Sequence, residues 1–399
     1  MKRDLSLYNC ITEHDYNILA GTNWPNYQDF VLGNNVPGFV YNELDLLIKD
    51  VKKFDNKAFC VLPFYGIEYP GNSVCCLLKT ESNLDIVKKN MLNGIRPEEC
   101  QCCWALEDKG ATSDRMLKNE LLNFVYKDLS LIEEECRRQE NKTIHYKIDS
   151  SNSCNATCIT CDGKSSTSWI RLEKKYKTRT HKLWKLSQDK LKIDYKNAKS
   201  INFRGGEPLL EKKNFTILEN LIQNGNTECM ISFTTNGSIK LSEKQIYLLS
   251  HFNKVNFCLS IDGINLVFEY IRYPLVWSNV LQNIEQYRAC NLQLSVSYTI
   301  SNLNIFFYTQ TTDWFKKNNL PFINNIVYTP EYFSPTSLPL AIKKRIIDEN
   351  NEKFLNTHTH QDELNFNKFI TKIKEQDEWK KIKMQDYIPQ FYNLIKEYL

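Results

Sequence analysis

The sequence contains no run approaching the ~18 to 20 apolar residues that a membrane-spanning helix requires, so no membrane partner is expected. Its start, Met1-Lys2-Arg3-Asp4-Leu5-Ser6, has basic residues but no apolar stretch behind them. No secretory signal is read there, and a reducing, cytoplasmic setting is expected. Neither charge sign dominates: 51 Lys and Arg stand against 47 Asp and Glu, a net +4 spread along the chain, which nominates neither nucleic acid nor lipid. P-loop, dinucleotide-binding fingerprint and internal repeat are all missing. The last 109 residues, after Cys290, hold no cysteine, which excludes a thiol-bound cluster domain at the carboxyl end.

What remains is a chain of 399 residues, 42% hydrophobic and 25% charged, an ordinary globular balance with length for two or three compact units. Its cysteines are not ordinary. Ten of the 14 lie between Cys60 and Cys161, and in a long chain without an export signal such clustering favours metal or redox chemistry over disulfides.

The tighter group is Cys154-x3-Cys158-x2-Cys161. Three thiolates on one loop can each hold one iron of a [4Fe-4S] cube, leaving the fourth iron open to a ligand. Zinc is the alternative occupant, but a closed zinc site wants four ligands, and His145 and His181 are poorly spaced to complete it.

The run resembles the cluster motif of the radical S-adenosylmethionine (radical SAM) superfamily, with Thr160 where relatives often carry a bulky apolar residue. Downstream segments arrive in the family's order. Gly205-Gly206-Glu207-Pro208 follows the strand-like Ser200–Arg204 and looks like the GGEP motif, whose glycines let backbone approach a ligand closely. Thr235-Asn236-Gly237 ends the next strand-like run, Ser260-Ile261-Asp262-Gly263 the one after, and Arg272 follows. The resemblance implies a [4Fe-4S] cluster on Cys154, Cys158 and Cys161. It also implies S-adenosyl-L-methionine held by Gly205, Gly206, Glu207, Pro208, Thr235, Asn236, Ser260, Asp262 and Arg272. Bound there, the sulfonium would be cleaved reductively to a 5'-deoxyadenosyl radical that abstracts hydrogen from a substrate.

A second group comprises Cys60, Cys75, Cys76, Cys100, Cys102 and Cys103. Tyr65–Glu68 and Ser73–Leu78 flank Pro70-Gly71-Asn72 and read as a hairpin that brings Cys60 to Cys75 or Cys76, while Cys100-x2-Cys103 supplies a second pair. Four thiolates suit iron-sulfur or zinc. The segment is similar to the twitch and SPASM auxiliary domains of radical SAM enzymes, with Glu107, Gly110, Ser113, Arg115 and Asn119 continuing the likeness. That similarity implies a second [4Fe-4S] cluster on Cys60, Cys76, Cys100 and Cys103, with Cys75 and Cys102 as second choices. Better-known relatives carry this domain after the barrel rather than before it.

From about residue 144 short apolar strands alternate with longer segments that suit helices, with strands near 144–149, 200–204, 229–234, 254–260, 292–299 and 323–328. Such alternation implies an α/β fold with a parallel sheet, which the resemblance sharpens to a partial (β/α)6 barrel carrying its site at the strand carboxyl ends. The expected division is an extension over 1–58 holding Trp24, Tyr27, Phe30 and Phe39, and a twitch-like domain with its linking helix over 59–142. The barrel follows over 143–335 and a helical region over 336–399. Cys136, in the linking helix, reads as a bystander. Phe366, Phe369, Ile370 and Ile373 have the spacing of an amphipathic helix that covers the open barrel or docks a partner, and His358-Thr359-His360 reads as solvent-facing.

The resemblance implies an enzyme acting on a peptide or protein side chain, with a small metabolite as the alternative, served by an electron donor such as a flavodoxin or ferredoxin. The auxiliary cluster would carry electrons. A zinc-binding interaction protein that has lost catalysis is the competing reading from another class.

Overall fold

The computed structural model describes residues 58–71, 73–75, 78, 83–108, 113, 115, 116, 119, 136–138, 143–178, 181–327, 329–346 and 360–399. Trp24, Tyr27, Phe30, Phe39, Asn72, Cys76, Gly110, His358, Thr359 and most of the expected linking helix lie outside these residues.

One sheet of seven parallel strands in chain order organises the fold: β1 (Gly66–Tyr69), β2 (His145–Asp149), β3 (Ser200–Arg204), β4 (Met230–Thr235), β5 (Val255–Ser260), β6 (Gln293–Ile300) and β7 (Phe322–Ile326). Parallel neighbours need crossovers, and helices supply them. Helix α1 (Leu62–Tyr65) precedes β1; α2 (Leu84–Leu92) and α3 (Gln101–Glu107) lie between β1 and β2. Then α4 (Thr167–Tyr176), α5 (Lys212–Gln223), α6 (Glu243–Leu249), the pair α7 (Asn265–Ile271) and α8 (Trp277–Ala289), and α9 (Tyr308–Lys317) fill the successive gaps. After β7 come α10 (Leu340–Ile346), α11 (His360–Lys380), α12 (Met384–Tyr387) and α13 (Pro389–Ile395). Among the described residues no helix is long and apolar enough to cross a membrane.

Six strands coincide with those expected to within two residues. The seventh is a correction. The sheet has a strand beyond the six expected: Gly66–Tyr69 runs parallel to β2 in the register Gly66↔His145 to Tyr69↔Ile148, while the antiparallel bridge Glu68↔Ser73 turns the chain back as the expected hairpin would, the rest of whose second arm lies partly outside the described residues. The edge of β2 offers a row of backbone donors and acceptors, which β1 satisfies along one side while Glu68 meets Ser73 along the other. The cross-strand ion pair of Lys147 with Glu68, 2.8 Å, fixes the register.

Alternation along the strands separates two faces. Ile231 and Phe233, Phe257 and Leu259, and Leu294, Val296 and Tyr298 are buried under the helices. Phe233 stacks on Phe203 at 4.8 Å and on Phe215 of α5 at 5.8 Å, and meets Phe257 edge-on at 5.3 Å, so β3, β4, β5 and α5 share one aromatic core. The intervening residues line a cavity of about 380 Å³ that all seven strands surround, among them Glu68, Lys147, Asn202, Thr234, Asn256 and Cys258. Since β1 and β7 are the two ends of the strand order, the barrel is partial.

Phe366, Phe369, Ile370 and Ile373 of α11 are buried, as their spacing predicts, and Phe369 meets Phe333 edge-on at 6.2 Å. His360, at the exposed start of the helix, lies 3.5 Å from Glu363.

Candidate functional site

Strands β2 to β5 end side by side, and the cysteine run Cys154–Cys161, Gly205–Pro208, Thr235–Gly237 and Ser260–Gly263 each lie at one of those carboxyl ends. The loop after β2 carries Cys154, Cys158 and Cys161, all half-buried. Its backbone is tied down on several sides. Ser168 Oγ donates to the Cys154 carbonyl at 2.9 Å, and Ser166 Oγ, whose side chain also caps α4, donates to the Ala156 carbonyl at 2.6 Å. Trp169 Nε1 donates to the Cys158 carbonyl at 2.9 Å. From the α7–α8 corner, the carbonyls of Tyr273 and Ile271 accept from the backbone N–H groups of Thr157 and Ile159 at 2.6 and 2.8 Å.

Burial pushes all three thiols up, Cys154 to about 12, and their mutual proximity adds to the rise at Cys154 and Cys161. At Cys158 the neighbouring Arg272 guanidinium works the other way. In the empty loop these are therefore neutral thiols, and a metal must supply the positive charge that converts them to ligating thiolates.

Gly205 and Gly206 press against this loop. Gly205 has φ +112°, and a Cβ there would lie 2.5 Å from the Ser151 carbonyl oxygen; at Gly206 it would lie 2.2 Å from that of Ser153. Glycine is thus required by the backbone just before Cys154, with Gly206 N and Glu207 N donating to the Ser151 and Ser153 carbonyls at 2.9 and 2.7 Å. Glu207 turns inward. Its carboxylate accepts from Leu209 N at 3.1 Å, Thr235 Oγ1 at 2.7 Å and Asn236 N at 2.8 Å, locking the β3 turn to the end of β4. Burial pushes its carboxyl up, and these three donors hold it down. Pro208, buried, opens the short turn that follows. Asn236 Nδ2 in turn donates to Asn155 Oδ1, inside the cysteine run, at 2.9 Å.

At the end of β5, Ser260 is half-buried, while Asp262 is buried and pairs with Arg272 at 2.7 Å. Asp262 also accepts from Thr299 N at 3.0 Å. The remaining arm of Arg272 reaches Cys158 Sγ at 3.9 Å, and its buried Nε has no hydrogen-bond partner. A fixed guanidinium beside a thiol, with an unsatisfied buried donor, fits an anionic group bound at this loop.

The amino-terminal thiols gather too. Cys60, Cys75, Cys100 and Cys103 line one small cavity with Arg115, whereas Cys102 is exposed. Burial pushes Cys100 to about 11 and Cys60 higher still, with Cys103 adding to the rise at both. The residues that continued the twitch likeness are braces. Arg115 meets the Glu107 carboxylate with two bonds of 2.9 and 2.6 Å and donates to the Phe59 carbonyl at 2.6 Å. Asn119 donates to the same carbonyl at 2.9 Å, and Ser113 donates to Glu107. Cys136 is buried in the apolar cluster beneath.

Among the described residues no group of three or more His, Cys, Asp or Glu side chains is set to hold a single metal ion. A zinc ion needs its ligands at about 2.0 to 2.3 Å from one point, whereas each thiolate of an iron-sulfur cube binds a different iron. The donor sets, three thiols on one loop and four described thiols around one small cavity, are of the chemistry that iron-sulfur and zinc both take.

Sequence reasoning missed Trp169, Asn155, Gln376 and Lys380. Gln376 Nε2 donates to the carbonyl of Ile159, 217 positions away in the chain, at 3.0 Å. No local pattern signals such a contact.

No family model and no curated protein matches the chain. Among solved structures it is similar to native anSMEcpe with bound AdoMet, at 21% identity and TM-score 0.37 over 50% of this chain and 59% of that one. It is also similar to Streptococcus suis SuiB bound to S-adenosylmethionine, at 13% identity and TM-score 0.35 over 68% of this chain and 60% of that one. The same protein bound to its precursor peptide SuiA gives 13% identity and TM-score 0.36 over the same shares. The chain thus spans under two thirds of the length of these structures.

Proposed function

We propose that this chain is a radical SAM enzyme that acts on a peptide or protein side chain. The observation that carries the chemistry is the convergence of Cys154, Cys158 and Cys161 with Gly205-Gly206, Glu207 and the Asp262–Arg272 pair at the carboxyl ends of four adjacent strands. When bound, a [4Fe-4S] cluster supplies one electron to the sulfonium of S-adenosylmethionine, whose C–S cleavage yields methionine and a 5'-deoxyadenosyl radical.

The chain's own residues do the holding. Cys154, Cys158 and Cys161 would hold the cluster. Arg272, anchored by Asp262, places positive charge beside Cys158. Glu207 fixes the β4 end against the cysteine loop rather than facing a ligand directly. The lumen below is lined mainly by apolar side chains, among them Ile67, Ile201, Leu294 and Phe322, with Asn202, Thr234, Asn256 and the Glu68–Lys147 pair as its hydrogen-bonding groups. The thiols around Cys60 and Cys100 would hold an auxiliary [4Fe-4S] cluster, in which case the electron left on the substrate after hydrogen abstraction has an acceptor. The choice of a peptide substrate rests on the likeness to enzymes with two clusters.

Anaerobic reconstitution followed by iron and sulfide analysis and a deoxyadenosine assay tests the reading. We expect about eight irons per chain, falling to about four when Cys154, Cys158 and Cys161 are replaced by Ala, with deoxyadenosine formation abolished. A colourless, zinc-loaded protein favours the interaction-protein reading. S-adenosylhomocysteine without deoxyadenosine means polar methyl transfer instead.

A further inference from the structure

Helix α11 packs against the barrel in two ways. Along Phe366 to Ile373 its contact is apolar, which suffices for a cover. Its last turn is different: Gln376 and Lys380 are buried, 7% and 6% exposed, and burying such groups is costly unless they are bonded.

Their bonds form a chain that ends on the cysteine loop. Lys380 Nζ donates to Gln376 Oε1 at 3.0 Å, which fixes the amide so that Nε2 donates to the Ile159 carbonyl. Ile159 is the residue directly after Cys158. The Lys380 ammonium also lies 4.8 Å from the ring centre of Trp169, the residue whose indole N–H holds the Cys158 carbonyl. Two further ties seat this turn. Trp379 stacks on Tyr176 at 5.1 Å, and Asp377 accepts from Tyr270 Oη and Met384 N, both at 2.9 Å.

We propose that the last turn of α11 is a clasp that holds the Cys158–Cys161 segment in its ligating shape, with Gln376 and Lys380 as positioning residues. The inference rests on the reading of Cys154, Cys158 and Cys161 as cluster ligands. A helix that only covers the barrel has no need to deliver a buried amide to the Ile159 carbonyl and a buried amine to the indole that holds the Cys158 carbonyl.

The test compares full-length Gln376→Met and Lys380→Met with the wild type and with Leu364→Ala, an exposed position of the same helix. Methionine preserves length and burial while removing the donor. In the cofactor-free proteins, hydrogen exchange over 155–162 should quicken roughly tenfold in Gln376→Met, the equivalent of one lost hydrogen bond. Lys380→Met should follow in the same direction, and exchange over 243–249 should not move in either. After reconstitution, iron should be lost to a chelator several-fold faster in both variants, with an altered electron paramagnetic resonance spectrum of the reduced cluster. Exchange over 155–162 that matches the wild type in both variants overturns the clasp, as does a uniform rise across the whole fold, which would mark a merely stabilising helix. Wild-type protein that takes up no iron on these three cysteines fails the cluster reading, while exchange in Gln376→Met still decides the clasp.

Discussion

The two cysteine sites are built by opposite means. Around Cys154, Cys158 and Cys161 the loop is held by groups from β3, β4, α4, the α7–α8 corner and α11, so its shape depends on the whole barrel. Around Cys60, Cys100 and Cys103 the described bracing is local and centres on one ion pair: Arg115, bidentate to Glu107, donates to the Phe59 carbonyl, which also accepts from Asn119, and Ser113 donates to Glu107. Each site also holds a cation against a carboxylate, Arg272 with Asp262 at the first and Arg115 with Glu107 at the second, and the first adds the buried Lys380, which gives its hydrogen bond to a neutral amide. A site braced from many elements should yield gradually to substitution; one whose braces centre on one ion pair should be most sensitive there.

The largest effect is therefore expected at Arg115. Its side chain is 10% exposed and that of Glu107 9%, so Arg115→Met strands a buried carboxylate at a cost of roughly 3–5 kcal/mol. Denaturant unfolding should show the amino-terminal segment melting ahead of the barrel, with iron lost from the second site alone. Simultaneous melting of both regions would erase the contrast.

Lys380 carries the next effect, of opposite sign. Burial lowers its amine from the usual value to about 7 in the cofactor-free chain. Because the folded pKa lies below the unfolded one, the unfolded state binds more protons between them, and wild-type stability rises as pH climbs from about 7 to about 10.5. The penalty is full below pH 7. Lys380→Met should thus stabilise the empty protein by a few kcal/mol, to order of magnitude, at pH 6, and the gain should fade by pH 10.5. A pH-independent difference would mean that the amine is not titrating in the fold. A residue that costs stability while tightening the cysteine loop is what a functional position looks like.

A smaller loss is expected from Glu207→Gln. The carboxylate accepts from three donors, and an amide turns one acceptor into a fourth donor, which costs roughly 1–3 kcal/mol. Distributed bracing predicts that the cysteines still take up iron in this variant. Loss of all iron from the first site would show that the β3–β4 lock is the sole support of the loop.

This contrast also explains what could be read from the sequence. The strands were legible because Ile231, Phe233, Phe257 and Leu259 alternate with Ser232, Thr234, Asn256 and Cys258, a local pattern with a local cause. Motif order placed the first site because each motif follows its own strand. The clasp was hidden, since Gln376 and Ile159 are joined only by folding. The parallel placement of β1 was hidden for the same reason: Pro70-Gly71 signals a turn whichever neighbour the preceding strand chooses. Glu207 and Glu107 were recognised as motif members, but that their carboxylates brace backbone and side chains follows only from the donors around them.

The smallest effect tests which thiols form the second site. Cys100 and Cys103 are three residues apart at the turn leading into α3 and therefore share a face, whereas Cys102 lies about 100° away from Cys103 around the helix. The cavity follows that face: Cys60, Cys75, Cys100 and Cys103 line it, and Cys102 is exposed. Cys102→Ala should leave iron content and stability unchanged, whereas Cys75→Ala should remove the iron of the second site if Cys75, and not Cys76, which lies outside the described residues, is the fourth ligand. If iron instead disappears in Cys102→Ala and survives in Cys75→Ala, the first turn of α3 must rotate when the site is loaded. The Arg115–Glu107 brace, anchored on that same helix, would then have to move with it.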